Sequence, residues 1–376
     1  MTKPNLVGLD VLRLLAAVYI VVFHVGVHFG PAVLTQFFSK GPAATSFFFI
    51  LSGFLLTALY GQAPLDDAGQ QTLLWRRFTR LLPPYLLGLV AAVGVWRGIC
   101  GGEVDPNDLL KYLTMTQTWF VGDSHLLNVP AWSASCLAFF YLTFPWILTR
   151  LRRCSSANLA GWMTVLWLLG ITLPNVLIKI LVHLQTAFSL PAWIVYLHNN
   201  PLFRWPEFIL GIGAGLLSAR GHWLPRLPTG WLGSAALAVL GLMALPAAVG
   251  VPVDNGLAAP LCLLLLTLAL RLKWRRGRLL RPVANSTLVL YLLHMPLLTL
   301  FQYAWSAAPW TAGKLGVYLA FVTVLSWLLD TWLCHPLSRQ LRRLERLQLS
   351  LPQLGRLLPE SAGPRALPRP GECSDD

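Results

Sequence analysis

The amino-acid sequence predicts an all-α polytopic membrane protein, and its composition provides the main reasons. Only 12% of its 376 residues are charged, about half of the roughly 25% usual in soluble globular proteins. Hydrophobic residues make up 56%, and the mean hydropathy is +0.61. A soluble protein of this size needs more charge to cover its surface, whereas a disordered chain has low hydrophobicity. The 6 cysteines are too sparse for a disulfide scaffold.

The apolar segments have the length of transmembrane helices, since a bilayer core requires about 20 mainly apolar residues per helix. They lie near residues 6–28, 43–61, 82–100, 131–149, 159–183, 201–218, 230–250, 256–272, 284–303 and 313–336. We therefore expect about ten transmembrane helices in one membrane domain over residues 1–340. The Pro- and Arg-rich residues 341–376 predict a largely disordered cytoplasmic tail.

The net charge of +14 is concentrated in short clusters between the apolar segments. The clusters contain Arg76, Arg77 and Arg80; Arg150, Arg152 and Arg153; Arg275, Arg276, Arg278 and Arg281; and Arg339, Arg342, Arg343 and Arg346. Because positive residues are enriched in cytoplasmic loops, we expect these connections and both termini to be cytoplasmic. The charge thus indicates topology in a lipid bilayer and argues against a nucleic-acid partner.

Ionisable residues inside the first apolar segment are the first functional candidates, because such residues are costly in a membrane. Arg13 and His24 are eleven residues apart, so they share a helix face and are separated by roughly 16 Å along the axis. An arginine near the cytoplasmic end and a deeper imidazole suit an anionic ligand that enters from the cytoplasm. The alternative is a snorkelling arginine paired with Asp10, and a buried structural histidine.

A second basic group follows in the predicted cytoplasmic connection 62–81. If this segment is helical, Arg77 and Arg80 are adjacent on one helix face. Paired guanidinium groups suit phosphates, because each provides a planar set of donors. A simple cytoplasmic charge cluster that includes Arg76 is the alternative.

Five motifs, in this order, resemble those of the membrane-bound acyltransferase-3 family. They are LDVLRLLAAVYIVVFH with Arg13 and His24; FFFILSGFLL followed by WRRFTRLLPPY; PAWS with FYL and FP; PLFRWPEF; and Ser286-Thr287 with LYLLHMP. The resemblance covers roughly residues 5 to 340. It implies transfer of an acyl group, commonly acetyl from acetyl-CoA, to a hydroxyl group.

The resemblance also implies the acceptor and the location. Acceptors in the family are mostly glycans of the bacterial envelope, such as O-antigen or exopolysaccharide, and sometimes small glycosylated metabolites. We therefore expect a multi-pass protein of the bacterial inner membrane with a carbohydrate or glycolipid acceptor. Many relatives carry a periplasmic esterase-like domain after the membrane part, so any such step here would need a separate periplasmic partner.

The matched motifs imply roles for individual residues. His24 is the implied catalytic imidazole, assisted by Arg13 and its neighbour Asp10. Arg77 and Arg80 are implied in acyl-CoA handling, to which we add Arg76 and Ser52 as neighbours. Further candidates for substrate contact or for stabilising an oxyanion are Trp132, Ser133, Glu207, Tyr291 and His294, for which ordinary interhelix hydrogen bonding is the alternative. The cysteine and histidine spacings predict no metal site.

Leu137 departs from the family pattern, which has a glutamate five residues after the tryptophan matched by Trp132. A leucine side chain neither accepts a proton nor orients a hydroxyl. Three explanations are open: another carboxylate such as Glu207 has taken the role, the acceptor differs, or the chain is a degenerate member. A transporter or flippase, and a catalytically silent assembly subunit, are therefore the competing function classes.

Overall fold

The computed structural model describes residues 7–26, 31–63, 65–183, 190–222, 228–243, 256–272, 280–305 and 309–344, and regular structure in these ranges is helical throughout. The α-helices are α1 (Val7–Val25), α2 (Ala32–Phe38), α3 (Gly41–Tyr60), α4 (Asp67–Gly98), α5 (Pro106–Leu113), α6 (Ala131–Arg152), α7 (Ser156–His183), α8 (Leu190–Asn199), α9 (Pro201–Ala219), α10 (Thr229–Met243), α11 (Ala259–Arg271), α12 (Leu280–Asn285), α13 (Thr287–Ala304) and α14 (Ala312–Leu329). A π-helical turn, Asp330–Cys334, extends α14. The predicted all-α fold is confirmed.

Seven helical stretches of the described chain are long and apolar enough to cross a bilayer. They are Val7–Val25, Ala32–Tyr60, Asp67–Gly98, Ala131–Arg152, Ser156–His183, Thr287–Ala304 and Ala312–Leu344. Helices α10 and α11 are apolar but have only 15 and 13 residues. The chain is therefore a multi-pass membrane protein, while the count of ten spans and the cytoplasmic termini stay predictions. The predicted clusters at Arg275, Arg276, Arg278 and Arg346, and tail residues 345–376, lie outside the described ranges.

Helix α4 begins much earlier than the apolar segment predicted at 82–100. The Asp66 carboxylate caps it by accepting a hydrogen bond from the Gly69 backbone N–H at 2.9 Å. The helix then continues for 32 residues through Pro83 and Pro84, a length of about 48 Å against a hydrocarbon core of about 30 Å. The connection predicted at 62–81 is therefore helical from Asp67 onward, which fixes its arginines on a rigid element.

Helices α3 and α9 pack with their backbones in close contact at two glycines. A Cβ atom at Gly53 would overlap the carbonyl oxygen of Phe208, and one at Gly211 would overlap the carbonyl oxygen of Ile50. Small residues permit this approach, which is a major source of helix association in membranes. Both helices also supply buried residues near the site described below, so this contact fixes the relative position of those residues.

We expect Gly211→Ala to destabilise the bundle by about 1–3 kcal/mol, because the methyl group must push two backbones apart. Gly94→Ala on α4 is the matched control, since no atom lies within 4 Å of a Cβ at that position. The measurement is the unfolding midpoint of the purified proteins in detergent. Equal midpoints for the two variants would contradict the close α3–α9 contact.

Candidate active site

A cavity of about 170 Å³ lies among α1, α3, α4, α6 and α13. Six of the residues singled out in the sequence line it together: Arg13, Ser52, Arg77, Arg80, Ser133 and Tyr291. Leu137 lines the same cavity. Residues that lie far apart in the sequence are thus brought together by five helices around one space.

One end of the cavity carries a cluster of positive charge. Arg13, Arg77 and Arg80 all line it, and Arg13 donates a hydrogen bond to the Thr287 hydroxyl at 3.4 Å. Among the described residues, Arg13 forms an ion pair with Asp10, with an N–O distance of 3.6 Å. Asp330 is a second carboxylate close to Arg80 and Arg13. Three guanidinium groups against two carboxylates leave this end positive, which favours an anionic ligand.

Arg76 differs from the other two arginines of its motif. Arg76 and Arg80 are both exposed and Arg77 is partly buried, but Arg76 alone of the three does not line the cavity. Successive residues of a helix point about 100° apart, so Arg76 and Arg77 face different surroundings. Arg76 therefore serves as a natural control for charge near the cavity.

Helix α6 shows how polarity changes along the cavity. Ser133, Leu137 and Tyr141 follow one another at four-residue intervals and all line it, over a distance of about 12 Å along the helix. Tyr141 is close to the arginine cluster, whereas Ser133 is close to Tyr291. The cavity therefore has a cationic end, a largely apolar middle at Leu137, and a hydroxyl-bearing end.

A pair of histidines lies beyond the hydroxyl-bearing end. Nδ1 of His24 and Nε2 of His294 are 3.2 Å apart, and the ring centroids of His294 and Tyr291 are 5.9 Å apart. Neither histidine lines the cavity itself. In the described part of the chain, no group of three His, Cys, Asp or Glu residues is arranged to hold a metal.

Glu207 belongs to a separate buried network. Its Oε2 atom lies 3.0 Å from Nη2 of Arg204, and its Oε1 atom accepts a hydrogen bond from the Ser46 hydroxyl at 2.8 Å. The Arg204 guanidinium lies over the rings of Phe49 and Trp132, 5.4 and 5.8 Å from their centroids. Neither Glu207 nor Trp132 lines the cavity, whereas Phe49 of α3, which contacts the Arg204 guanidinium, does.

The segment between α4 and α6 is held together by polar contacts near the His24 end of the bundle. Nζ of Lys111 lies 2.6 Å from Asp123 and 3.0 Å from Asp108. The hydrogen bond to Asp123, supported by the one to Asp108, raises the pKa of the Lys111 ammonium group. The Asn128 side-chain amide donates to the carbonyl oxygen of Leu292 at 3.1 Å, which ties this segment to α13.

Sequence reasoning missed Tyr141, Thr45 and Thr287 as cavity residues. Tyr141 had a usable signal, because it follows Ser133 by eight residues and so shares its helix face. Thr287 lies in the fifth motif but was given no role there. Thr45 had no signal, since isolated threonines are common in membrane helices and act there in ordinary interhelix hydrogen bonds. Only the tertiary structure shows that these two threonines line the cavity.

Comparison with known proteins identifies the family of this chain. The model of the family described as "Acyltransferase domain" matches residues 6–331. Acyltransferase MdmB from Streptomyces mycarofaciens is 30% identical over 198 residues, which are 49% of this chain and 48% of that protein. The match therefore spans about half the length of this relative. No solved structure matches the chain significantly. Since the family model covers nearly all of the membrane domain, the chain belongs to the acyltransferase-3 family.

Proposed function

We propose that this protein is an O-acyltransferase of the bacterial inner membrane, which moves an acyl group, most simply acetyl, from acyl-CoA to a hydroxyl of an envelope carbohydrate. The observation that carries the proposal is the order of groups along one path. The arginine cluster stands at one end of the cavity, and the histidine pair stands beyond the other. A donor with an anionic head and an uncharged reactive end fits this order.

The donor lies with its phosphates against Arg13, Arg77 and Arg80. Guanidinium groups bind phosphate oxygens through paired hydrogen bonds. The uncharged pantetheine arm of CoA then passes the apolar middle of the cavity at Leu137. Arg13 and His24 are about 16 Å apart along α1, which matches the length of such an arm and brings the thioester towards Tyr291 and the histidines.

The chemistry follows from the groups at the far end. Nε2 of His24 takes the proton of the acceptor hydroxyl, and the oxygen attacks the thioester carbon. The Tyr291 hydroxyl donates to the oxyanion of the tetrahedral intermediate. The Ser133 hydroxyl, which donates to the Pro130 carbonyl oxygen in the structure, rotates to donate to it as well. The intermediate collapses with cleavage of the carbon–sulfur bond, and the CoA thiolate takes the proton from His24. The products are the ester and free CoA.

The acceptor approaches from the His24 end, opposite to the arginine cluster. This position supports an acceptor on the periplasmic side, either a glycan or a small glycosylated metabolite, and leaves room for a separate periplasmic partner that presents it. Leu137 offers no carboxylate to this reaction, so the proton transfer rests on the histidines.

Substitutions in the arginine cluster test the binding of the donor. We expect Arg77→Gln and Arg80→Gln each to weaken binding of acetyl-CoA by about 10- to 100-fold, since each removes a charged hydrogen bond worth about 1.5–3 kcal/mol. Arg76→Gln is the matched control and is expected to bind as the wild type does. The measurement is titration of the protein in nanodiscs with acetyl-CoA. Equal weakening by all three variants would show a general charge effect and contradict a specific phosphate site.

The function itself is tested by mass spectrometry of envelope glycans from cells that lack the protein. We expect loss of a defined acyl mass, about 42 Da for each acetyl group, and its restoration by the wild-type gene. Substrate movement across the membrane without any covalent change would instead identify a transporter. Unchanged glycans and unchanged glycosylated metabolites would identify a silent subunit.

A further inference from the structure

The two hydrogen-bond contacts of the His294 ring define its protonation pattern. Nδ1 of His294 lies 2.6 Å from the carbonyl oxygen of Tyr291. A carbonyl oxygen only accepts hydrogen bonds, so Nδ1 must carry the hydrogen. In the neutral ring, Nε2 then carries the lone pair. This lone pair faces Nδ1 of His24 at 3.2 Å.

The same reasoning applies to His24. Its Nδ1 atom lies 3.0 Å from the carbonyl oxygen of Ile20, so Nδ1 carries the hydrogen here as well. That hydrogen lies between two acceptors, the Ile20 carbonyl oxygen and the His294 lone pair. The lone pair of neutral His24 is consequently on Nε2, which is the atom available to take a proton from a hydroxyl.

We propose that His294 is a positioning residue that orients His24 and stabilises it during proton transfer, a role that rests on the proposed function. When Nε2 of His24 takes the acceptor's proton, its ring becomes a cation. The Nδ1–H group of that cation donates to Nε2 of His294, and a hydrogen bond from a charged donor is about twice as strong as a neutral one. The proton on Nε2 then passes to the leaving thiolate.

The surroundings of His294 suit this role better than direct contact with substrate. The residue is 0% exposed, and the Tyr318 hydroxyl donates to its backbone carbonyl oxygen, which anchors this turn of α13. Both ring nitrogens are engaged, one by Tyr291 and one by His24. No ring N–H group is left to donate to an oxyanion, so that task falls to the hydroxyls of the cavity.

The kinetic test compares His294→Gln with His294→Leu in nanodiscs, with acetyl-CoA as the donor and an acceptor fraction identified by the glycan experiment. Glutamine keeps an acceptor oxygen near the position of Nε2, whereas leucine removes it. We expect leucine to lower kcat by about tenfold or more with the KM for acetyl-CoA unchanged, and glutamine to retain most of kcat. Equal kcat in both variants and the wild type, or a loss confined to KM, would overturn the proposal.

A second measurement does not depend on activity. Nitrogen NMR of the histidine-labelled protein distinguishes a protonated from an unprotonated ring nitrogen, and difference spectra with His24→Ala and His294→Leu assign the two rings among the 8 histidines. We expect both rings as Nδ1–H tautomers. An Nε2–H tautomer on either ring would overturn the inference. If the tautomers are as expected but the wild type transfers no acyl group, the proposed function is refuted. The hydrogen bond between His24 and His294 is then still supported.

Discussion

Replacing His24 with alanine is expected to lower acyl transfer by about 10²- to 10⁴-fold, the contribution usual for a positioned general base. Binding of acetyl-CoA should be unchanged, because His24 does not line the cavity that holds the arginine cluster. The measurement is kcat in nanodiscs together with a binding titration. This combination separates loss of the base from loss of the donor site.

His222→Ala is the matched control for the His24 variant. His222 is exposed, and its ring contacts the Ser156 hydroxyl at 3.4 Å, far along the chain from the cavity residues. We expect full activity in this variant. If His24→Ala retains wild-type kcat, the catalytic role of His24 is refuted, and with it the positioning role of His294.

Replacing Glu207 with alanine is expected to lower the free energy of unfolding by about 3–5 kcal/mol, because it leaves the Arg204 charge buried in an apolar bundle. The two side chains are 3% and 0% exposed, so water offers the remaining charge little compensation. Unfolding in a denaturing detergent measures the loss. The double variant Arg204→Met/Glu207→Met removes both charges and should recover much of the stability.

The same pair of variants decides whether Glu207 has replaced the family's glutamate. A structural ion pair predicts that the double variant, once folded, keeps kcat near the wild-type value. A catalytic carboxylate predicts a folded but inactive double variant. The geometry favours the structural role, because both Glu207 oxygens are engaged by Arg204 and Ser46 and the residue does not line the cavity.

Periodicity along single helices allowed correct predictions about pairs of residues. Arg77 and Arg80 were expected on one face of a helix, and both line the cavity. Pairing of Arg13 with Asp10 was part of the alternative to a functional role of Arg13, and the two side chains form an ion pair. These predictions succeeded because spacing within one helix fixes relative direction. The helicity of the connection at 62–81 was left open, and the structure makes it helical from Asp67, after a cap at Asp66.

Contacts between helices required the tertiary structure. Trp132 and Ser133 are adjacent in the sequence, yet Ser133 lines the cavity and Trp132 packs against the Arg204 guanidinium. His24 and His294 are 270 residues apart, and nothing in either segment specifies the other as its partner. Their contact was therefore not predictable before the packing of α1 against α13 was known.

The sequence by itself determined that this protein is a helical membrane protein of the acyltransferase-3 family, because the apolar segments and motif residues are local properties of the chain. The tertiary structure decided which motif residues share a cavity, which lie in the Arg204 network, and which ring nitrogen of His24 faces Ile20 and His294. The physical reason is that helix packing depends on the close α3–α9 contact and on side-chain shape across several helices. The spacing of residues along one helix does not show which residues of other helices they contact.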